Sequence, residues 1–426
     1  MRLNSFIKDT GTLISGNVLA QGIAFLAYLL LTRLYGPDDF GTYSIFLSYI
    51  EVLTILSTCK YELAPVIAKD DTEASEIARF TLWFNGLFSL LLLGLITLLY
   101  FCNALPGKTQ SIGLLALLIP FMVFFGGSSR VYASLFNRYK HYQVIAAAEV
   151  AASSSGAGLK ILFGLTRLLK APFSLLHSVG LPLGTVLGQA GGWFFYRCRL
   201  RKSSFLLSST AILQFSAAKK FRNFPLFTAP KDFVNSFSGN LPFLWLALYF
   251  DKAEVGLFLI ALTFTFRPVN ILNNAFERVL YANISEKVRQ HLPVSRDVFR
   301  FIGLLNVVAL PVALVGFLWC EPIFVFLFGT KWVGTGFYVR CMIPWVYVML
   351  TSTSLMCIAN IFSRQRTEFL FYLVLLLLRV AAMWVGIARH DFSLAIVLFT
   401  ISGALVSLAL LVWYLSQIRA YEKLLK

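Results

Sequence analysis

The sequence has few charged residues: Asp, Glu, Lys and Arg make up only 13% of its 426 residues. An ordinary soluble domain is about 25% charged and about 45–50% apolar, whereas this chain is 58% apolar, with a mean hydropathy of +0.75. Such a chain has too little polar surface to cover its Leu, Ile, Val and Phe side chains in water. The composition excludes a disordered chain, argues against a soluble domain and indicates a membrane protein.

Residues for metal or covalent chemistry are also scarce. The six Cys form no Cys-x-x-Cys pair, so they are interpreted as buried thiols, and the four His are scattered. No His-Glu-x-x-His, Gly-x-Ser-x-Gly or Asp-x-Asp motif occurs. The segment Pro106–Thr109 resembles the end of a phosphate-binding loop, but the required first Gly falls at Cys102. We therefore expect no enzyme activity, no cofactor and no metal site.

Apolar runs of the length that a bilayer requires, about 20 residues, fill most of the chain. The first run is too long for a signal-peptide core of about 7–15 residues and lacks a clear cleavage site, so it is interpreted as the first span. The twelve runs lie near 11–34, 41–67, 79–101, 111–135, 144–166, 173–196, 225–249, 254–278, 298–319, 338–360, 365–387 and 392–417.

The basic residues predict the orientation of these spans. The chain has 37 basic and 20 acidic residues, a net charge of +17. With both termini in the cytoplasm, the termini and even-numbered connections carry 24 Lys and Arg, and the opposite side carries eight. Cytoplasmic loops are enriched in Lys and Arg, so we expect cytoplasmic termini. The basic residues lie in short clusters between apolar runs, which does not favour nucleic-acid binding.

A weak internal repeat divides the spans into six plus six. A shift of 215 residues aligns Tyr61-Glu62 with Phe276-Glu277, and a shift of 226 aligns 136–140 with 362–366. An even number of spans per half makes the repeats parallel, a plan that is common in secondary transporters. The sequence thus predicts an all-α, polytopic protein of about twelve spans in two six-helix lobes.

The predicted lobes are residues 1–202 and 223–426, joined by a cytoplasmic linker over 203–222. The connection 197–222 carries seven basic residues around short apolar stretches. Two interpretations remain open: an amphipathic helix on the anionic leaflet, or a solvated linker.

Polar side chains inside the spans are the candidate site residues, because an ionisable group in hydrocarbon is costly and usually faces a bundle interior or a wet cavity. Spans one, two, seven and eight carry polar stripes at helical spacing. The candidates for substrate binding are Arg267, Lys231, Lys160, Arg379, Asn270, Asn274, Asn235, Asn17 and Gln21, and those for ion coupling are Asp232, Glu51 and Glu149.

Each candidate also has a structural interpretation. Asn and Gln often hydrogen-bond between packed spans. Lys231 lies about 9 Å into the membrane, from where it could snorkel or pair with Asp232. Lys160 and Arg379 could pair with an acid such as Glu149. Arg267 lies about 20 Å into a core of about 30 Å, too deep for easy snorkelling, and this depth favours function.

Two span junctions carry a family resemblance. The stretch 31–44, LTRLYGPDDFGTYS, resembles the span one–two junction of bacterial polysaccharide flippases of the Wzx type, members of the multidrug/oligosaccharidyl-lipid/polysaccharide exporter superfamily. The stretch 249–258, YFDKAEVGLF, is similar to the family's span seven–eight junction. The resemblance extends over the whole chain in span count and repeat, although both motifs are short.

The resemblance implies a V-shaped, MATE-like bundle with a central cationic cavity and alternating access. The implied substrate is undecaprenyl pyrophosphate bearing an oligosaccharide for O-antigen, capsule or exopolysaccharide assembly, and the implied location is the bacterial inner membrane. A glycan polymerase and a chain-length regulator are the expected protein partners. Related lipid II flippases usually have fourteen spans, so the twelve predicted here argue against that branch.

Two other functions compete with a flippase. A cation-coupled antiporter of the same fold would export small molecules and would need acids in its cavity, a need that Glu51, Asp232 and Glu149 could meet. A membrane-embedded glycan enzyme is disfavoured by the missing motifs. Without a nucleotide site, energy would come from an ion gradient or from consumption of the flipped product.

Overall fold

Helices lie in each of the twelve predicted spans of the computed structural model, which describes residues 19, 21–23, 25–104, 113–166, 174–201, 215–362 and 364–425. These residues contain no strand. Seven of the described helices are individually long and apolar enough to cross a membrane. A backbone inside lipid must satisfy its own hydrogen bonds, which a helix does within one segment. The chain is an all-α, multi-pass membrane protein.

Each helix overlaps its predicted run, and several extend beyond it. Residues 25–34 are helical in span one, and the remainder of that run lies partly outside the described residues. Spans two to six contain the helices Pro37–Thr58, Asp71–Phe101, Leu118–Arg138, Tyr142–Leu165 and Ser174–Arg201. Spans eight to twelve contain the helices Lys252–Arg289, Ser295–Phe328, Thr335–Ser354, Gln365–Ala388 and Phe392–Leu424.

Span two ends earlier than its apolar run, which extends to residue 67. Its helix stops at Thr58 because Cys59 and Lys60 both adopt the left-handed conformation, with φ of 46° and 62°. A 3₁₀ turn and a four-residue helix follow before span three, over Tyr61–Leu63 and Ala64–Ile67. We call residues 59–69 the elbow. The predicted end of span two was too late because hydropathy does not record backbone conformation.

Span seven is interrupted twice. Two π-helical segments, Phe224–Thr228 and Pro242–Leu246, flank the helix Ala229–Leu241, which we call the middle helix of span seven. A short helix, Ala247–Tyr249, completes the span. Each π segment contains a proline near its start, and proline cannot donate a regular helical hydrogen bond. Such π segments occur often at functional sites.

The chain forms two compact units, Met1–Phe237 and Ser238–Lys426. The division falls inside the middle helix of span seven. In the second unit, the Glu422 carboxylate accepts hydrogen bonds from the backbone N–H groups of Val294 and Ser295, each at 2.8 Å. The C-terminal helix thereby caps the start of span nine, where the N-cap residue has no side-chain hydrogen bond of its own. The lobe bounds 1–202 and 223–426 stay a prediction.

The end of the predicted linker is packed into the first unit. Residues 202–214 lie outside the described part, whereas Phe215–Lys220 is helical. Ala218 and Phe221 are buried in a cluster with apolar residues of the elbow and of span three. The Tyr61 hydroxyl donates to the Ala218 carbonyl at 3.1 Å, and Lys220 pairs with Glu73. This end of the linker is therefore attached to the protein through both apolar and polar contacts.

Candidate functional site

A polar face joins span two and the elbow to the middle helix of span seven, within the first unit. It comprises Glu51, Lys60, Glu62, Asp232 and Ser236. The Lys60 ammonium lies 2.8 Å from an Asp232 carboxylate oxygen and 4.0 Å from a Glu62 carboxylate oxygen. The Ser236 hydroxyl donates to Glu51 at 3.0 Å. Two of the acids predicted to couple ions, Asp232 and Glu51, thus lie on one face.

Local geometry explains how this face forms. Asp232 and Ser236 are four residues apart, so they project from the same side of the middle helix. On the other side, the left-handed turn at Cys59 and Lys60 ends span two and redirects the chain. Thr54 and Thr58, which belong to the same polar stripe as Glu51, are buried and donate to carbonyls of their own helix instead. Their hydroxyls are therefore satisfied locally.

Span five contributes a second polar group. The Lys160 ammonium, which is half-buried, donates to the Tyr43 hydroxyl at 3.0 Å, and that hydroxyl lies 2.8 Å from the Thr185 hydroxyl. The Tyr35 hydroxyl donates to the Lys160 carbonyl at 2.9 Å. Spans two, five and six therefore meet around one cation. Tyr35 and Tyr43 belong to the junction stretch 31–44, so this part of the motif positions Lys160.

A glycine stripe on span six places span five close enough for these contacts. Gly180, Gly184, Gly188 and Gly192 recur every four residues and face span five or its neighbours. A Cβ on Gly188 would lie 2.5 Å from the Gly156 Cα, and one on Gly184 would lie 2.6 Å from the Lys160 Cγ. Small residues at this spacing let membrane helices approach closely. This stripe had no predicted role, although its four-residue repeat is visible in the sequence.

Arg379 lies in the core of the second unit. It is only 4% exposed, and its guanidinium donates to the Ser238 hydroxyl at 3.0 Å. The guanidinium carbon lies 4.3 Å from the centre of the Phe399 ring and 5.2 Å from that of Trp345. Among the described residues, no acid forms an ion pair with Arg379. The suggested pairing with Glu149 is therefore not found, and aromatic faces stabilise this cation instead.

The other candidates differ in exposure. Gln21, Lys231 and Arg267 are half-buried, whereas Glu51, Glu149, Asn235 and Asn270 are exposed. Asn17 lies outside the described residues, and so does the side chain of Asn274, although Asn274 is helical. Lys60 had no predicted site role, because a lysine next to a connection looks like any other cytoplasmic charge. Within the described ranges, no three His, Cys, Asp or Glu side chains are grouped to hold a metal ion.

Known structures share this fold over nearly the whole chain. The inward closed conformation of the lipid II flippase MurJ has a TM-score of 0.73 at 13% identity, covering 98% of this chain and 91% of that one. An inward-facing multidrug resistance MATE family transporter of the MOP superfamily has a TM-score of 0.68 at 14% identity, covering 95% and 96%. A MOP superfamily transporter from Pyrococcus furiosus, described as having a binding pocket of reverse polarity, has a TM-score of 0.63 at 13% identity, covering 97% and 96%.

Comparison with known sequences identifies the family. No curated protein matches the chain. The family model described as polysaccharide biosynthesis protein matches residues 30–336, which is most of the sequence. This match includes both junction stretches, the polar face and the glycine stripe. The chain is therefore a member of the polysaccharide biosynthesis protein family, built on the fold of MOP superfamily transporters and flippases.

Proposed function

We propose that the protein moves an oligosaccharide linked to undecaprenyl pyrophosphate across the bacterial inner membrane by alternating access. The product would serve the assembly of O-antigen, capsule or exopolysaccharide. The observation that carries this proposal is the polysaccharide biosynthesis family match over residues 30–336. The fold supports it, because one structure that shares the fold is described as a lipid II flippase. Both termini would be cytoplasmic, and a glycan polymerase and a chain-length regulator would be partners.

The charges of the spans suit this substrate. Of the 37 basic residues, 24 and eight are assigned to the two sides of the membrane, which leaves five cations inside the spans: Arg130, Lys160, Lys231, Arg267 and Arg379. Guanidinium groups match phosphate oxygens well because they present planar, fixed donors and stay charged when desolvated. Arg130 is exposed, and Lys160, Lys231 and Arg267 are half-buried, so each of these four cations is accessible enough for a pyrophosphate to contact. Arg379 would contact substrate only after its aromatic cover had moved.

The acids would supply the coupling. Asp232, Glu51 and Glu149 are each at least partly accessible, so each could exchange a proton or bind a sodium ion during the cycle. Asp232 is our first choice because its partner Lys60 belongs to a different segment of the chain, and a change at Asp232 would therefore affect the attachment of span seven. Asn270 and Asn235 carry amide groups that could hydrogen-bond sugar hydroxyls.

Removing the charge of Arg267 tests the substrate proposal. In a strain lacking the native gene, the Arg267→Ala variant is expected to abolish surface glycan while the protein still reaches the membrane. Arg267→Lys is expected to keep partial activity, because it retains the charge but loses the planar fork. Surface glycan is measured by gel staining, and protein level by immunoblot of the membrane fraction.

The control is Arg366→Ala, which removes an exposed arginine from a predicted cytoplasmic connection and is expected to leave glycan unchanged. If Arg267→Ala exports glycan at the wild-type level, the pyrophosphate must bind elsewhere, and Lys231, Lys160 and Arg379 become the residues to change. If deletion of the gene alters drug resistance and leaves surface glycan intact, the antiporter function replaces this proposal.

A further inference from the structure

Lys60 lies between two carboxylates that belong to different parts of the chain. Its ammonium contacts Asp232 of span seven at 2.8 Å and lies 4.0 Å from Glu62, which is on the elbow with Lys60 itself. The Asp232 side chain is 36% exposed, whereas the Glu62 side chain is 5% exposed. One lysine therefore has a bonded partner on a different span and a second, buried partner within reach on its own segment.

The buried partner has an unused hydrogen-bonding position. In the described part of the chain, the second carboxylate oxygen of Glu62 is buried and has no hydrogen-bond partner. A buried acceptor without a donor is costly. Movement of the Lys60 ammonium by little more than 1 Å toward the other oxygen of Glu62, Oε1, from 4.0 Å to a hydrogen-bonding distance of about 2.8 Å, would give this buried carboxylate a charged donor. In this structure, Lys60 is therefore bound to Asp232, while Glu62 has a carboxylate oxygen without a hydrogen-bond partner.

The backbone at Lys60 is also unusual. Cys59 and Lys60 are two successive residues with positive φ, and neither is glycine. Residues with side chains enter this region at a cost and remain there when surrounding contacts hold them. The contact with Asp232 is one such contact. If it were released, the turn that carries Lys60 would lose part of its restraint.

The helix that carries Asp232 is interrupted at both ends. Asp232 lies on the middle helix of span seven, which has a proline-containing π segment at each end. These segments interrupt regular α-helical hydrogen bonding, so the middle helix can tilt with less disruption than the centre of a continuous helix. On the same side of this helix, the Ser236 hydroxyl donates a hydrogen bond to the Glu51 carboxyl group. Lys60–Asp232 is the closer of the two ion pairs that Lys60 forms on this polar face.

From these observations we propose that Lys60 is a switch residue of the transport cycle. In the conformation seen here it holds the middle helix of span seven against span two through Asp232. When that helix tilts away, the Lys60 ammonium transfers to Glu62, which keeps the charge paired and stabilises the released state. This proposal rests on the transport function above, but it concerns the conformational step and holds for any substrate.

Distances between spin labels test the conformational switch, and surface glycan reports its effect on transport. Labels are attached to Ile67→Cys on the elbow and Asn235→Cys on the middle helix, both at exposed positions, in a chain whose six cysteines are serine. Surface glycan is measured in separate, unlabelled chains that keep Asn235 and the cysteines. Pulsed electron paramagnetic resonance in proteoliposomes is expected to show one dominant short distance. Lys60→Met and Asp232→Asn should each add a longer population and lose surface glycan. Lys69→Met, an exposed elbow lysine, is the matched control and should change neither.

The charge swap separates a switch from a simple clamp. Lys60→Asp combined with Asp232→Lys restores the attraction, so the short distance should return. Glycan should stay low, because an acid at position 60 repels Glu62 and cannot transfer to it. Glu62→Gln alone should keep the short distance and reduce transport. Unchanged distances in Lys60→Met, or full glycan recovery in the swap, would overturn the proposal. If these distances change as expected while no span-cation variant affects glycan, the substrate proposal fails and the switch stands.

Discussion

Replacing Gly188 with isoleucine is expected to prevent spans five and six from packing and to remove most folded protein from the membrane. A Cβ at this position would lie 2.5 Å from the Gly156 Cα and 2.8 Å from the Ala152 carbonyl oxygen and the Gly156 nitrogen. All three atoms belong to the backbone of the facing helix, so no side-chain rotation relieves the overlap. The two helices would have to separate, and overpacking of this kind typically costs about 1–3 kcal/mol or more.

The direction of the stability change in a smaller substitution, Gly188→Ala, makes this prediction specific. Alanine is a better helix former than glycine by about 1 kcal/mol, so intrinsic propensity alone would make Gly188→Ala stabilising. We expect the opposite, because the added methyl group is itself the atom that overlaps. Thermal unfolding of purified protein in detergent, together with the monodisperse fraction in gel filtration, measures both variants.

Gly158 provides the matched control. It lies on span five, where a Cβ would meet nothing within 4 Å. Gly158→Ile should leave the midpoint of unfolding near that of the wild type. If Gly188→Ile unfolds no more readily than Gly158→Ile, the glycine stripe does not hold these two spans together.

Replacing Arg138 with alanine is expected to destabilise the first unit by about 2–4 kcal/mol, because charge-assisted hydrogen bonds are worth about 1.5–3 kcal/mol each. Its guanidinium donates to the Pro65 carbonyl at 3.0 Å and to the Ala68 carbonyl at 2.7 Å, and it pairs with Asp71 at 3.1 Å. The Asp71 side chain is 64% exposed, so that pair contributes little. The two carbonyls at the end of the elbow account for most of the effect.

The internal repeat supplies the control for Arg138. A shift of 226 residues aligns Arg138 with Arg364, which is exposed. Arg364→Ala should change stability by less than about 0.5 kcal/mol, as for most surface substitutions. Denaturant titration of both variants in detergent measures the difference. Equal losses in the two variants would show that the elbow contacts contribute nothing specific.

The same alignment illustrates what the sequence leaves open. Residues 136–140 and 362–366 look equivalent in the repeat. The Arg138 guanidinium nevertheless donates hydrogen bonds to elbow carbonyls, whereas Arg364 is exposed. The first unit has an elbow whose final carbonyls point toward span four, and this feature depends on the left-handed turn after Thr58. Hydropathy and spacing record neither the turn nor the direction of a carbonyl.

The sequence also leaves open which residue each charged side chain contacts. Asp232 and Glu51 were predicted as coupling acids from their depth, but the contacts of Asp232 with Lys60 and of Glu51 with Ser236 depend on how spans two and seven are rotated. Arg379 was assigned either to substrate or to an acid, and it is instead enclosed by two aromatic rings and a hydroxyl. Each of these pairings joins residues that are far apart in the chain.

The sequence by itself determined the number of spans, their approximate bounds and the membrane character, because about 20 apolar residues per helix is a local requirement that the bilayer imposes on every segment. It also carried the motif from 31 to 44, which the family match includes from residue 30 onward. Only the tertiary structure decided where span two ends, how span seven is interrupted, and which charge meets which. Those outcomes depend on helix rotation and close packing between distant segments, and no local pattern encodes them.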